Sequence, residues 1–309
     1  MIKNVKMRDG NELAVAVIPA LTNRQNKPWV VMVHGIGGSH HMWVPFALPF
    51  YNKFNFIIPN LRGFGLSAEV PYTLNSVIHN FAEDIEDCID AFVPDDEKVI
   101  LVGLSMGAYS SMQYLKNTKG KRVEKYLSID QAPKAINSEN WNSGLVGEKQ
   151  AFLIPRLERL VNEALKHDYY EKDFNELPAH FRAEYQKCLC EFFTSAVHRQ
   201  HEKLLLSLPI YLGVKIALNS VSAHKLSSYA DCLSSYIEFD YDFRDVFHKL
   251  DIPITLFIGK HSEMYPADGQ RAIAAISKNC RAVEFDESHA LMYTAPLKFL
   301  KELKKFLNE

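Results

Sequence analysis

Four short apolar runs rich in β-branched residues, at 29–33, 55–58, 98–102 and 123–129, recur along the first third of the chain with helical patterns between them. Strands this short that are apolar on successive positions bury both faces, as inner strands of a parallel sheet do when helices cover it. The alternation predicts an α/β fold, and residues 13–18 read as an earlier hairpin strand. Val77, Ile78, Phe81, Ile85, Cys88, Ile89 and Phe92 fall three and four residues apart. That spacing predicts an amphipathic helix over 75–92, with Pro94 just past its end.

The same grammar returns near the C-terminus, with strands at 253–258 and 281–285 and a final helix that puts Leu297, Leu300, Leu303 and Leu307 on one face. Between 134 and 250 it is missing. Helical patterns at 151–167 and 181–206 dominate there, with turns at Pro178 and Pro209 and a Ser-rich stretch at 220–235. The chain therefore divides into a discontinuous α/β core, residues 1–133 and 251–309, and a helical insertion, residues 134–250. Residues 204–218 and the pair Phe192 and Phe193 are unusually apolar for such an insertion. They read as its own core and its contact with the sheet.

Lys plus Arg number 35 against 37 Asp plus Glu, a net charge of −2. Phosphate binding needs a concentrated basic excess, so nucleic acid is excluded as a main partner. No apolar run is long enough to span a bilayer, and the first ten residues are charged throughout, so a cytoplasmic protein without a membrane partner is expected. The five cysteines form no CxxC pair and no even set, which fits reduced thiols rather than a disulfide framework. No ligand spacing of the H-E-x-x-H kind occurs among the 12 histidines, so no metal or cofactor is implied.

Chemistry concentrates at Gly103-Leu104-Ser105-Met106-Gly107, a G-x-S-x-G match with a strand candidate before it and a helix candidate after it. Flanking glycines let the backbone turn sharply and present the serine hydroxyl at the sheet edge. The plainer alternative is a Gly-rich turn in which Ser105 merely caps the helix. A serine nucleophile needs an imidazole to take its proton and a carboxylate to orient that imidazole. His289 is the best-placed base, in a loop after a short apolar strand and before the helix opened by Pro296.

These segments together resemble the α/β-hydrolase superfamily everywhere outside the insertion. His34-Gly35-Ile36-Gly37-Gly38 resembles the family's oxyanion loop, which implies that the backbone amides of Ile36 and Met106 form an oxyanion hole. The stretch from Pro59 to Ser67 resembles the family's P-D-x-R-G-x-G-x-S turn, with Asn60 where Asp is usual. His34 then fixes the oxyanion loop, while His40 and His41 flank the pocket mouth. In relatives the inserted helices form a cap over the active site.

The acid departs from the pattern. Where the family carries G-x-x-D-x-x-x-P, this chain has Gly259-Lys260-His261-Ser262-Glu263-Met264-Tyr265-Pro266, with Ser262 at the acid position. Glu263 is one candidate substitute. Asp130 is the other, at the strand end where a subgroup of haloalkane dehalogenases carries its acid. The vacancy at one place and the carboxylate at the other favour Asp130, with Glu263 and no acid at all as the remaining readings.

The resemblance implies a serine hydrolase that cleaves a carboxylic ester of a small, partly hydrophobic substrate through an acyl-enzyme. Thioester hydrolysis, carbon–carbon bond hydrolysis and perhydrolysis use the same constellation, and a weakly catalytic ligand-binding sensor is the alternative of a different class. The sequence gives no oligomeric state.

Overall fold

The apolar runs become strands β2 (Glu12–Ile18), β3 (Trp29–Val33), β4 (Asn55–Pro59), β5 (Val99–Leu104), β6 (Val123–Ile129), β7 (Ile254–Gly259) and β8 (Cys280–Phe285), while β1 (Ile2–Lys6), mostly exposed and marked by no apolar run, pairs on β2 at the sheet edge. They form one eight-stranded sheet in the order β1-β2-β4-β3-β5-β6-β7-β8. The β1–β2 and β2–β4 pairs are antiparallel and all the others parallel. This computed structural model describes residues 1–22, 26–73, 76–196 and 226–309.

Side-chain alternation splits each inner strand between two cores. Val31 and Val33 face Phe81, Ile85, Tyr109 and Met112, which come from helices α2 (Val77–Phe92) and α3 (Met106–Thr118). Val30 and Met32 face the opposite layer, with Trp43, Phe46 and Phe299. Two of these belong to α1 (Val44–Ala47) and to α10 (Pro296–Asn308), which follows the short α9 (Leu291–Thr294). Phe299 meets Phe46 edge-on at 5.0 Å between ring centroids and Phe257 at 5.7 Å. That aromatic contact sets the rotation of α10, since a large ring buries more area than a leucine. The buried face is therefore Phe299, Leu303, Phe306 and Leu307. Leu297, expected on it, is 83% exposed.

Between β6 and β7 lie α4 (Gln150–Lys166), α5 (Ala179–Thr194), α6 (Leu226–Glu238) and α7 (Arg244–Lys249). Leu160, Ala164, Leu177, Phe181, Tyr185, Cys188 and Leu226 make a separate apolar cluster there. The Ser-rich stretch proves helical from Leu226 onward, with Ser227, Ser228 and Ser235 buried. Small side chains let α6 approach the sheet layer closely; Ser228 Cβ lies 3.3 Å from where a side chain on Gly63 would begin. The connections to the sheet are tied together: Phe243 N–H donates to Pro133 O at 2.9 Å and Lys134 Nζ to Asp240 at 2.9 Å. Tyr236 of α6 stacks on Tyr109 of α3 at 4.7 Å. Residues 204–218, Pro209 and the far end of the 181–206 pattern lie outside the described residues, as do the side chains of Phe192 and Phe193. Among the described residues no helix is long and apolar enough to cross a membrane.

Candidate active site

Parallel strands end together, so the loops after β3, β5, β6, β7 and β8 share one rim of the sheet, the edge where open α/β sheets bind ligands. Leu104 pairs with Ile129, Ile129 with Phe257, and Gly259 with Phe285. The residues that follow these partners are Ser105, Asp130 and the two loops holding Ser262 and His289.

Ser105 occupies the turn from β5 into α3 at φ 52°, ψ −124°. A non-glycine residue in that region carries strain on the order of 1–3 kcal/mol. The turn is held by Ser105 N–H donating to Ile129 O at 3.0 Å and by two close approaches. A side chain at Gly103 would begin 2.5 Å from Ala108 Cα, and one at Gly107 2.4 Å from Val33 O. Both motif glycines are thus required for α3 to cross the strand ends. The side chain of Ser105 does not cap α3, which removes the plainer reading of the motif.

The loop after β3 lies against this turn, since a side chain at Gly35 would begin 3.3 Å from Ser105 Cβ. Met106 N–H stands at the first helical position, where no intrahelical acceptor exists. Among the described residues neither it nor Ile36 N–H has a hydrogen-bond acceptor. His34 pins the loop: Nδ1 bonds Gly35 O at 2.8 Å and Nε2 accepts Leu61 N–H at 3.0 Å. Asn60 uses both ends of its amide, with Nδ2 donating to Ala14 O and Oδ1 accepting from His40 N–H and Nδ1. An aspartate could not make the first of these bonds, which accounts for the departure at this position. His40 is therefore buried against Asn60 rather than set at a pocket mouth. Arg62 fixes the same turn through both oxygens of Asp84, Asp9 and Pro71 O.

Burial pushes the pKa of His34 down to about 4, below the ~6.5 of an unfolded histidine. The unfolded chain then binds the extra proton between those two values, so stability falls as pH drops through that window and changes no further below it. The expected contribution is on the order of 3 kcal/mol. Urea midpoints at about pH 7 and about pH 4.5 should differ less in His34→Gln than in the wild type; equal losses in both would show that the ring is not held neutral.

Asp130 follows β6 at φ 45° and is fully buried. Its Oδ2 accepts from His289 Nδ1 at 2.8 Å and from Ser262 Oγ at 2.6 Å. Its Oδ1 accepts from Gly259 N–H at 2.8 Å and Gln270 Nε2 at 3.2 Å. A carboxylate only accepts, so the proton of the imidazole sits on Nδ1 and the lone pair on Nε2. Nε2 has no partner among the described residues. Glu263 lies elsewhere, paired with Lys149 Nζ at 2.6 Å at the surface. Of the two candidate carboxylates the fold brings Asp130, and not Glu263, to His289. Ser262 was visible in the sequence only as a vacancy, and Gln270, on α8 (Ala267–Ile276), had no signal at all.

The model of the alpha/beta hydrolase family matches residues 30–302. The chain belongs to the alpha/beta hydrolase family. Within the hydrolases it is 32% identical over 111 residues to Esterase YbfF of Escherichia coli (strain K12), a match that spans 36% of this chain and only 41% of that relative. Among solved structures, an esterase (EaEST) from Exiguobacterium antarcticum superposes with a TM-score of 0.76 at 20% identity, covering 100% of both chains. The enol-lactonase from Burkholderia xenovorans LB400 gives 0.71 at 20% identity, over 99% of this chain and 100% of the other. At these identities the two structures establish the hydrolase fold.

Proposed function

We propose that the chain is a serine hydrolase that cleaves a carboxylic ester of a small, partly hydrophobic substrate through an acyl-enzyme. The observation that carries the reading is the buried Asp130–His289 pair on the same rim as a strained serine whose side chain does not cap its helix. Ser105 Oγ attacks the ester carbonyl while His289 Nε2 takes its proton. The Ile36 and Met106 amides receive the oxyanion, a role in which one donor is worth roughly 2.7–4 kcal/mol. Asp130 holds the imidazolium without taking its proton. His289 then protonates the leaving alcohol, and a water deprotonated by the same nitrogen releases the acid from Ser105. These steps call for no metal or cofactor.

A serine, rather than an aspartate, at the nucleophile position supports acyl transfer over alkyl-enzyme chemistry. The esterase relative and the esterase and lactonase neighbours support an ester bond as the target. Residues 134–250 would form the cap, with α6 resting on the nucleophile helix through Tyr236 and Tyr109. We expect purified protein to hydrolyse p-nitrophenyl esters, and a chain-length series of them measures which acyl groups it takes. Thioesters of the same acids, run in parallel, decide the leaving group. Fluorophosphonate labelling without turnover on any of them would replace the enzyme reading by the sensor one.

A further inference from the structure

The late-strand turn, 259–266, pairs its one acid, Glu263, with Lys149, yet two of its groups bond Asp130 and a third braces them. Gly259 N–H donates to Oδ1 at 2.8 Å and Ser262 Oγ to Oδ2 at 2.6 Å. Tyr265 completes the arrangement through its backbone. Its N–H donates to Ser262 Oγ at 3.2 Å, and its carbonyl accepts Gln270 Nε2 at 3.1 Å, the same nitrogen that reaches Asp130 Oδ1. With one lone pair of Ser262 Oγ taken by Tyr265, the hydroxyl hydrogen is directed at Asp130. Together with His289, the turn and α8 supply four donors to a carboxylate that has about four acceptor sites.

We infer that Ser262 is a positioning residue of the ester hydrolase: the place vacated by the acid has become the donor that aims the relocated one. This rests on the reading of Asp130 as the acid. A buried aspartate with fewer partners could rotate its carboxylate or leave a lone pair unpaid for in solvation. Here Oδ1 is tied by Gly259 and Gln270, so Oδ2 is the oxygen presented to His289. Ser262 donates to that same oxygen. The short charge-assisted bond is of the strong class. Ser262 is buried and bonds Asp130 and Tyr265, so it acts through Asp130 and His289.

The geometry has a second consequence. Ser262 Oγ and His289 Nδ1 meet on the same oxygen of Asp130, at 2.6 and 2.8 Å, so a carboxylate carried by position 262 would begin beside that N–H when Asp130 no longer offers one. Positions 130 and 262 are two seats for one acid.

The test compares wild type, Ser262→Ala, Asp130→Asn and the double variant Asp130→Asn with Ser262→Asp, on a p-nitrophenyl ester. Ser262→Ala is expected to lower kcat about 10-fold, at the low end for a residue that orients a site group through a hydrogen bond, with KM unchanged. The double variant is expected to exceed Asp130→Asn alone by at least about 10-fold, because the carboxylate is restored from the other seat. A Ser262→Ala enzyme with wild-type kcat, or a loss confined to KM, overturns the positioning role. A double variant no faster than Asp130→Asn overturns the two seats, and it serves as the deciding measurement should Ser262→Ala not fold. An Asp130→Asn enzyme with the wild-type rate is a different failure, since it removes the acid assignment itself.

Discussion

Ser105→Ala is expected to abolish ester hydrolysis, with a loss of roughly 10⁶-fold in kcat, the scale on which the serine of such a constellation acts. Removing the hydroxyl leaves the Asp130–His289 pair and the proposed oxyanion donors in place, so any residual rate would report binding and that proposed hole alone. The variant should also fail to take a fluorophosphonate label. Undiminished activity would end the nucleophile assignment. The backbone offers an independent check, because Ser105 sits at φ 52° and alanine there keeps the strain. Ser105→Gly should be more stable than Ser105→Ala by about 1 kcal/mol, the relief at positive φ outweighing the entropy glycine adds to the unfolded chain. Chemical denaturation of the two variants measures this difference, and equal midpoints would mean that the turn relaxes without the hydroxyl.

Asp130→Asn is expected to cost up to about 10⁴-fold in kcat, because an amide can present a donor to Nδ1 and force the wrong tautomer on His289. Glu263→Gln should leave kcat/KM near the wild-type value, since Glu263 pairs with Lys149 at the surface, a contact worth roughly 0–1 kcal/mol. The ratio of the two effects is the informative quantity. If Glu263→Gln proved the more damaging, the acid would belong to the late-strand turn after all.

Much of this protein was legible before folding was considered. The inner strands, α2, α3 and the start of α10 follow from apolar periodicity and from the glycines around Ser105, all local features. The resemblance of its turns to the family's pointed to Ser105, His289 and the Ile36 and Met106 amides as the proposed site. Less legible was whatever depended on a partner distant in sequence. Leu297 satisfies the helical period of α10 as well as Leu303 does, yet the rings of Phe46 and Phe257 select Phe299 instead. The serines of α6 look like loop residues until the helix is seen to pack closely beside Gly63. His40 is polar and precedes a turn, but the Asn60 amide draws it into the core.

Contiguous residues were enough for the inner strands, α2, α3 and two of the proposed reacting groups, because a strand–turn–helix serine and a loop histidine are local patterns. The sequence favoured Asp130, because Ser262 stands at the family's acid position, but kept Glu263 and no acid at all as readings, since nothing local shows which carboxylate reaches His289. Tertiary structure decided between them. Asp130 and His289 are 159 positions apart, and they meet because β6 pairs with β7 and β7 with β8 in parallel register across the insertion. Which side chain then faces the imidazole is fixed by the hydrogen bonds of Gly259, Ser262 and Gln270, donors that only the paired strands and their covering helix bring to one carboxylate.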